Sequence, residues 1–275
     1  MRLDRALHAR GLARSRSHAQ ELIAAAAVTV DGVVATRPAT PVSDEAELSV
    51  APGAGRYVSR AAHKLIGALD ECARDGLTVD GKSALDAGAS TGGFTQVLLE
   101  RGAAHVLAVD VGHGQLAASI AADPRVTTRE GVNVRDLDAA SPGAGVDLVV
   151  ADLSFIALPL VIPAVADFAG PGADHVLMVK PQFEVGRGRL SARGVVTDPA
   201  ARASAVLGVA RAMADAGLTL HRVARSPLPG PQGNVEFFVW GSSVWQAGAG
   251  DAHTRPVLEG DSLEEAIARE VKGEA

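Results

Sequence analysis

Ser83-Ala84-Leu85-Asp86-Ala87-Gly88-Ala89-Ser90-Thr91-Gly92-Gly93-Phe94 is the stretch on which the fold turns. A short apolar run ends in a carboxylate, a glycine-rich loop follows, and residues 95–100 continue with the apolar spacing of a helix. Glycines at such a strand-to-helix turn let the backbone take unusual dihedrals and approach a ligand closely. They stand at 88, 92 and 93, so the dinucleotide spacing G-x-G-x-x-G is not met. Asp86 at the strand end would repel a pyrophosphate, but not a sulfonium or an ammonium group. Asp110 ends the next apolar strand, where an acid can accept hydrogen bonds from a ribose diol. The pair suits a nucleoside with a cationic amino-acid tail, and the expected cofactor is S-adenosylmethionine. The plainer alternative is a structural glycine turn with an incidental acid.

Working outward, short apolar runs at 83–86, 105–110, 147–153 and 175–180 alternate with helical stretches. That alternation predicts an α/β, Rossmann-like domain, a mostly parallel sheet with helices on both faces. Residues 218–225 and 236–240 read as strands with no helix between them, hence antiparallel. A helix over 60–74 precedes the domain's first strand. Upstream lies a small α+β unit. Residues 2–10 form an amphipathic helix with Leu3, Ala6 and Leu7 on one face, ended by Gly11. A second helix starts near Ser17, where Ser17 and Gln20 have capping-box spacing. Val28–Val30, an Asp31-Gly32 turn and Val33–Val34 make a hairpin, and Leu48–Val50 a further strand. The expected domains are 1–55, a linker at 56–59, a catalytic domain at 60–243, and a flexible tail at 244–275. Ser262 and Glu265 repeat the capping spacing and start a short helix in that tail.

The chain has 275 residues and a net charge of −6, which argues against indiscriminate nucleic-acid binding. Residues 1–20 nevertheless hold Arg2, Arg5, Arg10, Arg14 and Arg16 against the single acid Asp4. This local patch is either a docking surface for RNA phosphates or a solvated helix face. Aromatic residues make up only 3%, so recognition of folded RNA by arginines and shape is expected over stacking. The lone Cys72 can form neither an internal disulfide nor a zinc site, and no metal is expected. No apolar run reaches the ~18 residues of a membrane span, and MRLDRALHAR lacks a signal-peptide core, so a cytoplasmic protein with no membrane partner is expected.

The acceptor is narrowed by elimination. Ala151-Asp152-Leu153-Ser154-Phe155 lacks the acid- or amide-proline-proline-aromatic pattern of amino-group methylation. Cys72 lies on the wrong element to be the nucleophile of carbon methylation. A hydroxyl remains, a weak acid that benefits from a base and a cation. Lys180 ends an apolar strand at the sheet's carboxyl edge and is the candidate base, with Asp152 on the neighbouring strand end. Lys64 and Glu236 could join them, though spacing alone does not bring them there.

At these residues the chain resembles a known family. Residues 60–65, 86–94, 151–155, 179–184 and 233–237, with Arg56-Tyr57-Val58 between the domains, look like the motifs of the TlyA family of rRNA cytidine 2′-O-methyltransferases, also called hemolysin A. The core is similar to FtsJ-type ribose methyltransferases, and the first unit resembles the RNA-binding domain of ribosomal small-subunit protein four. The resemblance implies a class I methyltransferase sheet of seven strands with an antiparallel last strand. It implies a catalytic tetrad of Lys64, Asp152, Lys180 and Glu236. It places Asp86, Gly88, Ser90, Thr91, Gly92, Gly93, Phe94, Asp110, Asn133 and Asp152 around S-adenosylmethionine. The partner implied is ribosomal RNA within ribosomal subunits, either the large one alone or both, with a link to capreomycin-type antibiotic sensitivity. Two other classes stay in view: a non-catalytic ribosome-assembly factor on a dead fold, and a membrane-lytic hemolysin. The absence of a long cationic amphipathic helix disfavours the second.

Overall fold

The computed structural model describes residues 1–24, 27–51, 55–186, 188, 190–191, 193–243 and 255–273. They fall into two compact units, Met1–Arg60 and Ala61–Ala275.

In the first unit α1 (Leu3–Ala9) and α2 (Arg16–Ala24) bury Leu3, Ala6 and Leu7 against Ala19, Leu22 and Ile23. Ser15 caps α2, its Oγ accepting the His18 N–H at 3.1 Å. The expected Ser17–Gln20 box is not used, because Gln20 Nε2 instead donates to Asp4 Oδ2 at 2.9 Å. Strands β1 (Val28–Val30), β2 (Val33–Val34) and β3 (Leu48–Val50) form an antiparallel sheet in the order β2-β1-β3. Asp31 at φ 50° and Gly32 at φ 77° make the tight turn that an Asp-Gly pair favours.

The second unit opens with α3 (Ala61–Ala73) and continues with β4 (Ser83–Ala87), α4 (Gly93–Glu100), β5 (His105–Asp110), α5 (Ala118–Ala121) and β6 (Val126–Glu130). Next come β7 (Val146–Ala151), α6 (Ile162–Phe168), β8 (Ala169–Val179), α7 (Pro181–Glu184), α8 (Pro199–Asp215), β9 (Leu218–Arg225), β10 (Phe237–Ser243) and α9 (Gly260–Lys272). The seven-stranded sheet runs β6-β5-β4-β7-β8-β10-β9. Strand β10 is antiparallel to both β8 and β9, and the other pairings are parallel. Central strands such as β7 are apolar and buried but for Asp147 near its start, because helices cover both faces. Strand β8 begins six residues before the apolar run that marks it, with a register shift against β7 between Val146 and Leu148.

The chain's last helix is integral to this unit, a correction to the flexible tail expected from 244 onward. Helix α9 presents Leu263, Ile267 and Val271 at a four-residue spacing and buries all three in the main core. Its capping box uses Glu259 and Ser262, three residues ahead of the expected one. Residues 244–254 lie outside the described residues. Near the opposite end of the sheet, the buried Asp174 accepts from Lys82 Nζ at 2.6 Å, Arg255 Nη1 at 2.6 Å and Trp240 Nε1 at 2.9 Å. The Arg255 guanidinium also lies 5.1 Å from the Trp240 ring centre.

Candidate active site

Parallel α/β sheets leave a crevice at the carboxyl ends of their strands. Here β4, β5, β6 and β7 end around a cavity of about 470 Å³, a usual size for a small-molecule site. Gly88 floors it at φ 87°, where an added Cβ would lie 2.9 Å from the Asp152 carbonyl oxygen. Asp110 stands at one side, fixed by the N–H groups of Ser90 at 2.8 Å and Gly112 at 2.7 Å. Val132, Val134, Leu153, Ile156 and Val161 supply apolar walls, and Asn133, Gln115 and Asp152 add polar groups. Two carboxylates line the cavity and no lysine or arginine does, among the described residues. That donor set fits a cationic nucleoside and would repel a pyrophosphate.

Of the ten residues assigned to the cofactor from sequence, Gly88, Ser90, Asp110, Asn133 and Asp152 line this cavity. The remaining five serve behind it. Asp86 is fully buried, with Oδ2 accepting from Thr95 Oγ1 at 2.6 Å and Oδ1 lacking a hydrogen-bond partner among the described residues. Gly92 at φ 94° is the N-cap of α4, and a side chain there would strike Leu116 and Ile120. Gly93 is buried in the first turn of α4, Thr91 accepts from the Ala117 N–H, and Phe94 stacks on Phe238 in the interior. Gln115 and Ser154 are polar residues near the site that sequence reasoning missed. Gln115 lies outside any motif. Its signal is the 2.8 Å and 3.3 Å bonds that Glu130 accepts from Gly114 and Gln115, which shape the loop only in the folded chain.

Burial pushes the Asp86 carboxyl up to about 7, against the Thr95 hydroxyl, which lowers it. The folded-state value lies above the unfolded one, so the folded chain holds the extra proton in between. Stability from this group is therefore present below about pH 4 and is lost as pH rises toward 7. Comparing thermal unfolding of Asp86→Asn and the parent from pH 5 to 8, without cofactor, should show the variant gaining relative stability as pH rises. A constant difference would refute the buried, unpaired reading.

The four tetrad candidates form two ion pairs in the same unit. Lys180 Nζ lies 2.6 Å from Asp152 Oδ1 and donates to Ser154 Oγ at 2.8 Å. Lys64 Nζ pairs with Glu236 Oε2, and both are almost fully buried. Glu236 Oε1 also accepts from Gln182 Nε2 at 3.4 Å, just beyond Lys180 in the chain. Gly230 makes room for this carboxylate, since a Cβ there would lie 2.0 Å from Oε1. Helix α3 thus delivers Lys64, and the residue before β10 delivers Glu236, a meeting of positions that spacing could not show. Over the cavity mouth stands Phe155, 92% exposed at φ 65°, its ring centre 5.3 Å from that of Phe183.

Residues 57–243 match the FtsJ-like methyltransferase family, and residues 1–48 match the S4 domain. The 16S/23S rRNA (cytidine-2′-O)-methyltransferase TlyA of Mycobacterium tuberculosis is 52% identical over 94% of this chain and 98% of its own length. The chain is an FtsJ-like methyltransferase of the TlyA family. Hemolysin A of Brachyspira hyodysenteriae is 37% identical over 86% of this chain and 98% of its own. The solved structure of a hemolysin-named protein from Streptococcus thermophilus superposes with a TM-score of 0.72 at 32% identity, covering 99% of this chain and 96% of that one. No helix of this FtsJ-like chain is long and apolar enough to cross a membrane, among the described residues.

Of the five arginines expected to meet RNA, three are occupied within the S4 unit. Arg2 and Arg16 each reach the buried Asp4 at 3.1 Å, and with Gln20 they hold its carboxyl far below the usual carboxylate range. Arg10 donates to the carbonyls of Ala46, Ser43 and Asp44. Arg5 is exposed with no such tie among the described residues, and Arg14 makes a long 3.4 Å contact to the Tyr57 carbonyl.

Proposed function

We propose that this chain methylates the ribose 2′-hydroxyl of a cytidine in ribosomal RNA, using S-adenosylmethionine. The observation that carries the reading is Lys180 Nζ held between Asp152 Oδ1 at 2.6 Å and Ser154 Oγ at 2.8 Å, at the rim of the cavity. Gly88, Asp110, Asn133 and the apolar walls would hold the cofactor, with the free oxygen of Asp86 beneath. When bound, it supplies a methyl group already activated as a sulfonium.

The protein's own residues then have two tasks. The first is alignment, from which most of the rate of such a transfer derives. Lys64 and Glu236, joined to Gln182, fix the segment that follows β8. The second is proton management. The 2′-hydroxyl takes the place of the Ser154 hydroxyl at Lys180 Nζ. As the oxygen becomes nucleophilic its proton passes to Nζ, which hands one across to Asp152 Oδ1.

The S4 unit supplies the docking surface, through Arg5 and Arg14, which carry no ion pair with an acid among the described residues. Replacing both with alanine should weaken ribosomal-subunit binding and reduce its dependence on the logarithm of salt concentration by about 1 to 2. Cofactor affinity should not change. Arg16→Ala should act chiefly on the stability of the S4 unit, because it removes a partner of Asp4. Equal loss of subunit and cofactor binding in the double variant would count against this division. The activity itself is tested by transfer of a labelled methyl group from S-adenosylmethionine to purified ribosomal subunits, followed by mass mapping. Label on a cytidine ribose is the expected result. Label on a base, or none, overturns the reading.

A further inference from the structure

Two loops meet at the rim of the site. One follows β7 and carries Asp152, Ser154 and Phe155. The other follows β8 and carries Lys180 and α7. Their contacts begin with Asp152–Lys180 and Ser154–Lys180 and continue with the Phe155–Phe183 ring pair. They end at Glu184, whose Oε1 accepts the backbone N–H of Leu158 at 3.0 Å. Leu158 is buried and opens a short 3-10 turn over Leu158–Leu160. Between the two ends, Phe155 takes φ 65°, a conformation that bulky side chains avoid. A loop with such a residue keeps its shape only when both of its ends are fixed.

We propose that Glu184 is a positioning residue for methyl transfer: its carboxyl pins the far end of the Asp152 loop and so holds Asp152 and Ser154 against Lys180. The inference rests on the ribose-methylation reading and deepens it. Its side chain is half-buried, and burial pushes its carboxyl up to about 7. Either protonation state keeps an oxygen acceptor for the Leu158 N–H, so an amide can stand in for it. Alanine cannot, and the freed loop would let Asp152 drift from Lys180. A displacement of about 1 Å at a reacting group can cost on the order of 100-fold in rate.

The test compares the full-length parent, Glu184→Ala and Glu184→Gln, by methyl transfer to ribosomal subunits and by calorimetric binding of S-adenosylmethionine. Glu184→Ala is expected to lower kcat roughly 10- to 100-fold with cofactor Kd within about twofold of the parent, and Glu184→Gln to restore most of the rate. Parental kcat in Glu184→Ala, equal impairment of both variants, or loss of cofactor binding in parallel with rate would each overturn the positioning role. Absence of transfer by the parent would instead sink the methylation reading, so the two failures are distinguishable.

Discussion

Lys180→Ala should lower methyl transfer to ribosomal subunits by about 10³-fold while leaving S-adenosylmethionine affinity within a few-fold of the parent. The asymmetry follows from placement. Lys180 is not among the residues lining the cavity, yet its Nζ touches Asp152 and Ser154 at the rim. Removing it takes away the group proposed to receive the hydroxyl proton and leaves Asp152 without its cation. Lys180→Arg should rescue little, since a guanidinium keeps the charge but does not release a proton. Single-turnover transfer and calorimetry read the two quantities separately. Near-parental transfer in Lys180→Ala would remove Lys180 from the chemistry, and loss of cofactor binding would make it a pocket residue instead.

The second large effect is on stability. Asp174→Ala should destabilise the catalytic unit by about 3–5 kcal/mol, because it strands two partly buried cations without their counter-charge and leaves a buried indole N–H unpaired. Lys82 and Arg255 both depend on this carboxylate, and Trp240 Nε1 loses its acceptor as well. For a domain of this size each kcal/mol moves Tm by about 2–4 °C, so a fall of roughly 6–20 °C is expected in differential scanning calorimetry. Asp174→Asn should fall less, since it keeps an acceptor for the indole. A shift under about 2 °C would show that Arg255 and Lys82 find adequate solvation elsewhere.

Much of this molecule is legible in its residue order, for identifiable reasons. Buried strands announce themselves by their apolar patterns, and the parallel His105–Asp110 and the antiparallel Leu218–Arg225 end where those patterns end. The glycine loop marks the cofactor end of the sheet because backbone conformation there demands glycine at 88 and 92. What escaped reading is long-range. Gln20 could cap its own helix on spacing alone, but a buried carboxylate sixteen residues away takes its amide. Arg2, Arg10 and Arg16 look like a phosphate patch in one dimension, yet their partners are Asp4 and three carbonyls brought near by folding. The glycine-proline-glycine near the start of β8 falls in the register shift against β7, between Ala169 and Asp174, so no apolar run marks this part of the strand. Helix α9 looks like a solvated tail because nothing local says that Leu263, Ile267 and Val271 have a groove to fill.

The position of β10 has a consequence for how the enzyme is born. The strand lies between β8 and β9, although it is made after both. Until it emerges, β9 has no neighbour in the sheet, and the edge of β8 waits unpaired. The cofactor crevice, by contrast, is bounded by β4, β5 and β7, which are finished much earlier. Glu236 immediately precedes β10, so Lys64 receives its carboxylate only when the final strand slots in. A nascent chain can thus shape its nucleoside crevice while still on the ribosome, yet the second ion pair of the proposed catalytic set forms only once β10 has been made.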